Sequence, residues 1–123
     1  MDGRGVAVMD AALSSLNETG AKFCNSKTGS MAGIVDDREV LIVFDQSKPA
    51  DGWSDPRLGL LLMVRPVTRV VRSHRPVRGA AYAGYYASRS GPGSVLRHYI
   101  VLYDEKRNII QRLDNIVGLR KEQ

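Results

Sequence analysis

The sequence has a single cysteine, no long hydrophobic run and, between Pro56 and Tyr103, neither a lysine nor a carboxylate. A lone Cys24 excludes an intramolecular disulfide, so a small secreted scaffold held together by cross-links is not expected. No unbroken apolar stretch exceeds five residues, as from Leu60 to Val64, which is far shorter than the roughly 20 residues that cross a bilayer. The N-terminus also lacks a long apolar leader. We therefore expect no transmembrane segment and an intracellular location.

The residues that commonly carry chemistry are also scarce. The two histidines, His74 and His98, have no Cys, His or carboxylate at the spacing of metal ligands. Cys24 has no local signature of a nucleophile, and a free cysteine is more often a small buried apolar residue. The sequence thus predicts a non-enzymatic protein with neither a metal site nor a cofactor.

The most informative feature that is present is an arginine block between Pro56 and Tyr103. The chain as a whole has a formal charge of +5, yet outside this block acidic groups outnumber basic ones. All five tyrosines of the chain also lie inside the block. Its eight cations are Arg57, Arg65, Arg69, Arg72, Arg75, Arg78, Arg89 and Arg97.

Arginine interleaved with tyrosine favours a partner that has anionic groups and flat rings. Guanidinium offers forked donors to phosphate, and tyrosine can stack on bases. We therefore predict a nucleic-acid-binding protein, with single strands or RNA favoured over duplex DNA. The expected phosphate contacts are Arg69, Arg72, Arg75, Arg78, Arg89 and Arg97, and the expected stacking residues are Tyr82, Tyr86, Tyr99 and Tyr103.

A second interpretation of the same block is a protein interface. Tyrosine and arginine are enriched where proteins associate, so the block also fits an assembly module that docks a protein partner or forms a homodimer. The alternation from Val95 to Tyr103 separates aliphatic side chains from Arg97, Tyr99 and Tyr103, as in a strand with two different faces. This pattern does not distinguish stacking rings from core rings.

For the fold, the spacing predicts one compact domain over residues 1–123 with an amphipathic helix over 4–19. A sheet-rich body over 31–113 is expected to contain the basic segment 56–103 and to begin with a hairpin. Residues 114–123 are expected to form a short terminal segment, either a short helix or a fraying end.

Further along the chain, Pro66 and Pro76 are expected to interrupt the strands, and later strands to be antiparallel. The predicted class is α+β, a mainly antiparallel sheet covered by the N-terminal helix, with a half-open barrel as the alternative.

Overall fold

Eight β-strands make up the part of the chain that the structure describes. The computed structural model describes Phe23 and residues 29–50, 52–88, 97–114 and 116–121. The strands are β1 (Ser30–Val35), β2 (Arg38–Phe44), β3 (Leu60–Arg72), β4 (Arg75–Pro76), β5 (Tyr82–Ser88), β6 (Arg97–Tyr103), β7 (Ile109–Leu113) and β8 (Ile116–Lys121).

The strands form one antiparallel sheet that curls into a half-barrel. Their order is β7-β6-β5-β3-β2-β1-β8, and β4 pairs with β3 beside this path. The two end strands, β7 and β8, follow each other along the chain. Because consecutive strands occupy opposite ends of the hydrogen-bonded order, the sheet has to bend round toward itself.

The long strand β3 belongs to both halves of this sheet. Its first part pairs with β5 as far as Pro66, and its second part pairs with β2 from Val67 onward. We call the half with β1, β2 and β8 the first sheet and the half with β5, β6 and β7 the second sheet. The predicted break at Pro66 is wrong. The proline lies where β3 changes partners, and its carbonyl accepts a hydrogen bond from the Asp45 backbone.

The interior of the half-barrel is aliphatic and aromatic. Side chains from both sheets meet there because alternate residues of each strand face inward. Phe23 packs between Phe44 and Tyr85, with ring centroids 5.4 and 5.0 Å away. The other buried members of this core are Met31, Val35, Val40, Ile42, Val67, Val70, Ala83, Ile100, Leu102 and Leu113.

The predicted α+β class is wrong for the described residues, since every element among them is a strand. The helix predicted over 4–19 lies outside those residues, and an N-terminal helix covering the sheet is not shown. A short helix after Asp114 is also wrong, because this segment forms β8 and pairs with β1. β-branched Ile116 and Val117 suit a strand beside an existing edge. Within the described ranges, no helix has the length and apolarity needed to span a membrane.

Candidate anion-binding site

A cavity of about 530 Å³ opens at one end of the half-barrel and is lined by arginines from three strands. Arg38 begins β2, Arg72 ends β3 and Arg75 begins β4. Gln111 of β7 and Ser73 complete its polar lining. The volume falls in the range of about 300–1,000 Å³ that small-molecule pockets occupy. We call this feature the basic cavity.

Strand alternation explains why these arginines converge. Val35 pairs with Arg38, and Val40 pairs with Arg72, so both arginines share a face with core residues. Arg75 lies directly opposite Arg72 across a two-residue turn. Each strand reaches the end of the barrel at these positions, where an inward-facing side chain meets solvent instead of the core.

The turn between Arg72 and Arg75 holds them opposite each other. Ser73 and His74 both have positive φ angles, of 51° and 65°, as a tight two-residue hairpin turn requires. The Ser73 backbone N–H donates to the Glu39 carbonyl at 2.9 Å. This bond ties the turn to β2 and therefore places Arg72 and Arg75 beside that strand.

The charges around the basic cavity are only partly balanced. Arg72 forms an ion pair with Asp36 at 3.5 Å, and its side chain is 16% exposed. Its Nε is buried and has no hydrogen-bond partner among the described residues. An unsatisfied buried donor costs about 1–3 kcal/mol, so an acceptor at this position would be favourable. No ion pair is found for Arg38 or Arg75 within the described ranges.

The other arginines predicted to contact phosphate are spread over the molecule. Arg69 is exposed on the outer face of β3, since it pairs with Val43 rather than with a core residue. Arg78 is exposed in the turn after β4. Arg97 is exposed at the start of β6, on the second sheet, and Arg89 lies outside the described residues. The structure therefore brings Arg72 and Arg75 together, with Arg69 and Arg78 close to them along the chain.

Three of the four predicted stacking tyrosines are buried. Tyr86, Tyr99 and Tyr103 form a second cluster with Val101 on the outer face of the second sheet, whereas Tyr82 is partly exposed. Cross-strand pairing aligns them, because Tyr86 lies opposite Tyr99 and Tyr82 lies opposite Tyr103. We call this group the tyrosine cluster.

Ring contacts and a hydrogen bond order the tyrosine cluster. The Tyr86 and Tyr99 rings stack at 5.5 Å with an interplanar angle of 9°. The hydroxyls of Tyr86 and Tyr103 lie 2.5 Å apart and share a hydrogen bond. Burial raises the pKa of all three hydroxyls above that of a free phenol. These side chains are thus packed and neutral.

The loop between β2 and β3 covers this cluster. The Trp53 ring meets Tyr103 edge-on at 4.6 Å, and Leu58 also packs against the group. Asp55, which is 5% exposed, accepts hydrogen bonds from the Arg57 backbone N–H and from its guanidinium. The hydrogen bonds from Arg57 lower the pKa of Asp55 to about 2. The carboxylate therefore remains charged while it holds the loop in place.

Sequence reasoning missed three polar residues of the basic cavity, Arg38, Ser73 and Gln111. Arg38 stands outside the arginine block and is flanked by Asp37 and Glu39, so its charge is masked in the sequence. Arg38 could have been found from strand alternation, because it lies two residues before Val40 on β2 and therefore shares the inward face with Val40. Gln111 carries no signal of its own, because its position depends on β7 reaching the same end of the barrel.

Two further indications of function would be a metal site among the described residues and similarity to known proteins. In the part of the chain that the structure describes, no three His, Cys, Asp or Glu side chains are grouped as metal ligands. His98 is partly buried, and that burial lowers its pKa. Comparisons of the chain with protein-family models, curated proteins and solved structures found no match.

Proposed function

We propose that this protein binds nucleic acid through phosphate contacts made by the arginines at the β2, β3 and β4 end of the half-barrel. The contact set is Arg38, Arg69, Arg72, Arg75 and Arg78. It omits Arg97, which lies on the second sheet. An intracellular site of action belongs to the same proposal.

The observation that supports the proposal most is the incomplete charge compensation of the arginines at this end. Arg69, Arg75 and Arg78 have no ion pair with any described residue, although surface charges of opposite sign usually lie interspersed. Uncompensated guanidinium groups attract polyanions and form forked hydrogen bonds with phosphate oxygens.

The positions of these arginines favour a flexible strand over a duplex. Arg69 lies on the outer face of β3, whereas Arg72 lies on the inward face beside the cavity. A ligand that touches both must bend sharply around the β3–β4 turn. Duplex DNA resists such bending, since its persistence length is about 50 nm, whereas a single strand does not. Single-stranded DNA or RNA is therefore the proposed ligand.

The stacking part of the sequence hypothesis is not retained. Tyr86, Tyr99 and Tyr103 are covered by the loop that carries Trp53, so bases cannot reach them in this conformation. Of the predicted stacking residues, Tyr82 alone remains partly accessible. Binding through phosphates without stacked bases implies weak sequence preference.

Anisotropy of a fluorescent single-stranded oligonucleotide, measured across a salt series, tests the proposal. Each phosphate contact contributes about −0.7 to the slope of log K against log salt for a single strand. The Arg69→Gln/Arg75→Gln variant removes two proposed contacts. We therefore expect its slope to be shallower by about 1.4 and its affinity at low salt to fall at least about tenfold.

A variant with the same charge change elsewhere supplies the control. Lys48→Gln/Arg97→Gln removes two exposed cations that lie outside the proposed contact set. Its salt slope should stay close to that of the unmodified protein. Absence of binding at low salt, or equal slopes for the two variants, would refute the proposal.

A second candidate function is self-assembly through the outer face of the first sheet. Ile34 on β1 is 46% exposed there, and the neighbouring Leu41, Val43 and Val71 are only partly buried. The pairing places Leu41 beside Val71, so the apolar patch continues across β2 and β3. Contiguous apolar surface of this kind is typical of interfaces between subunits.

Sedimentation velocity over a range of protein concentrations tests this second candidate. A homodimer should appear as concentration rises, and Ile34→Lys should abolish it because a charge would be buried in the contact. A monomer at every concentration would refute self-assembly and leave the nucleic-acid proposal unaffected.

A further inference from the structure

The basic cavity has a charge that exceeds what one phosphodiester can balance. Arg38, Arg72 and Arg75 bring three guanidinium groups, and Asp36 supplies one carboxylate through its pair with Arg72. The nearby Asp37 and Glu39 are exposed, so solvent screens their charges. Among the described residues, the three lining guanidinium groups and the one paired carboxylate therefore leave an excess of two positive charges.

We infer that the basic cavity binds a terminal phosphate monoester, the phosphorylated end of the nucleic acid. A phosphodiester within a strand carries one negative charge, whereas a monoester carries about 1.5 to 2 negative charges at neutral pH. The excess positive charge of the lining matches the monoester. This inference rests on the proposed function, since it names the part of the ligand that enters the cavity.

The donors in the cavity suit a group with several free oxygens. Arg72 has a buried Nε–H without a partner among the described residues, and one of its terminal nitrogens is already paired with Asp36. Arg38 and Arg75 line the same space and form no ion pair with any described residue, so their guanidinium forks can bind phosphate oxygens. A monoester presents three such oxygens, whereas a diester presents two.

The position of the cavity also suits an end. Its arginines lie on the inward face at the mouth of the barrel, beside the partly buried Val77 that packs against the core. A terminal group can enter the cavity from this mouth, and the remaining nucleotides can then extend over the exposed Arg78 and Arg69.

Matched oligonucleotides test the inference in the full-length protein. We would measure the affinity of one single-stranded sequence bearing a 5′-phosphate, a 3′-phosphate or hydroxyls at both ends. We expect one of the phosphorylated forms to bind about tenfold more tightly than the hydroxyl form, since it adds charge-assisted hydrogen bonds. The two phosphorylated forms identify which end enters the cavity.

Two substitutions separate the cavity from general electrostatic attraction. Arg75→Gln removes an exposed cation of the cavity lining and should abolish the preference, so that phosphorylated and hydroxyl oligonucleotides bind with about equal affinity. Arg97→Gln removes the same charge on the second sheet and should leave the preference unchanged. Arg75 is chosen over the largely buried Arg72 because the Arg75 side chain is exposed and its loss does not disturb packing. Thermal unfolding verifies that the variant is folded.

The outcomes separate this inference from the proposed function. Tight binding with equal affinity for all three oligonucleotides would overturn the terminal site while the proposed function stands. A preference that persists in Arg75→Gln would also overturn it. A third outcome is that the hydroxyl oligonucleotide does not bind at all, which would refute nucleic-acid binding. Calorimetry with a nucleoside 5′-monophosphate then tests the cavity alone. Binding of the monophosphate that Arg75→Gln abolishes would support the phosphate site.

Discussion

Replacing Gly84 by alanine tests whether Tyr86 is a core residue. Gly84 lies in the middle of β5, between Val64 on β3 and Val101 on β6. A Cβ at this position would lie 2.7 Å from the Cε2 atom of Tyr86, whereas ordinary contacts begin near 3.4 Å. Glycine therefore leaves the space that the Tyr86 ring occupies, and the added methyl group requires something to move.

The magnitude follows from how firmly that ring is held. Tyr86 stacks on Tyr99 and shares a hydrogen bond with Tyr103, so it cannot retreat without losing both contacts. Overpacking of this kind costs about 1–3 kcal/mol. Alanine regains about 0.4–1 kcal/mol by restricting the unfolded chain. We expect a net loss of about 1–2 kcal/mol, or about 4–8 °C in Tm for a chain of this size.

Urea denaturation followed by fluorescence measures this loss. Gly52→Ala is the matched control, because its Cβ would meet nothing within 4 Å and the substitution should be neutral or slightly stabilising. In a Tyr86→Leu background the obstructing ring atom is gone, so Gly84→Ala should cost at least about 0.5 kcal/mol less. Unchanged stability of Gly84→Ala in the unmodified background would refute the packing argument and leave Tyr86 free to move.

Two further predictions concern the same region. Tyr103→Phe removes the hydroxyl that is bonded to Tyr86 and should lower the free energy of unfolding by about 1 kcal/mol; an unchanged urea midpoint would contradict it. Asp55 has a pKa lowered from 3.8 to about 2 by Arg57, so its stabilising contribution is complete above about pH 4 and is lost as the pH falls toward 2. Stability measured from pH 5 to 2 should thus fall less steeply in Asp55→Asn, and identical slopes would exclude a role for the pair.

The antiparallel strands of this fold could be predicted largely from local patterns. In β6 the alternation between Tyr99 or Tyr103 and Ile100 or Leu102 separates two faces, and the structure places these pairs in different clusters. The hairpin of β1 and β2 was also readable, because Asp36 and the next aspartate tolerate the positive φ angles of its turn. Strand alternation and the residue preferences of turns depend on a few neighbouring residues, so a single sequence is enough to predict them.

What depends on distant partners could not be predicted. Whether the tyrosine cluster is a stacking surface or a core is decided by Trp53, which packs against the cluster from the loop between β2 and β3. The basic cavity requires Gln111 of β7 to line the same space as Arg38 and Arg72, and β7 lies near β2 only because the sheet curls. The terminal segment became a strand for the same reason, since β1 offered it an open edge.

The pairing of β8 with β1 has a consequence for how the protein folds. Met31 pairs with Lys121, so this step joins strands from nearly opposite ends of the described chain. Contacts between residues so far apart in sequence form slowly, because a long loop must close first. As the chain is synthesised, β8 is the last of the described strands to emerge, and until then the edge of β1 that pairs with β8 is open to another nascent chain. We expect ribosome-bound chains, and chains freshly diluted out of denaturant, to be most prone to aggregation before β8 has paired with β1.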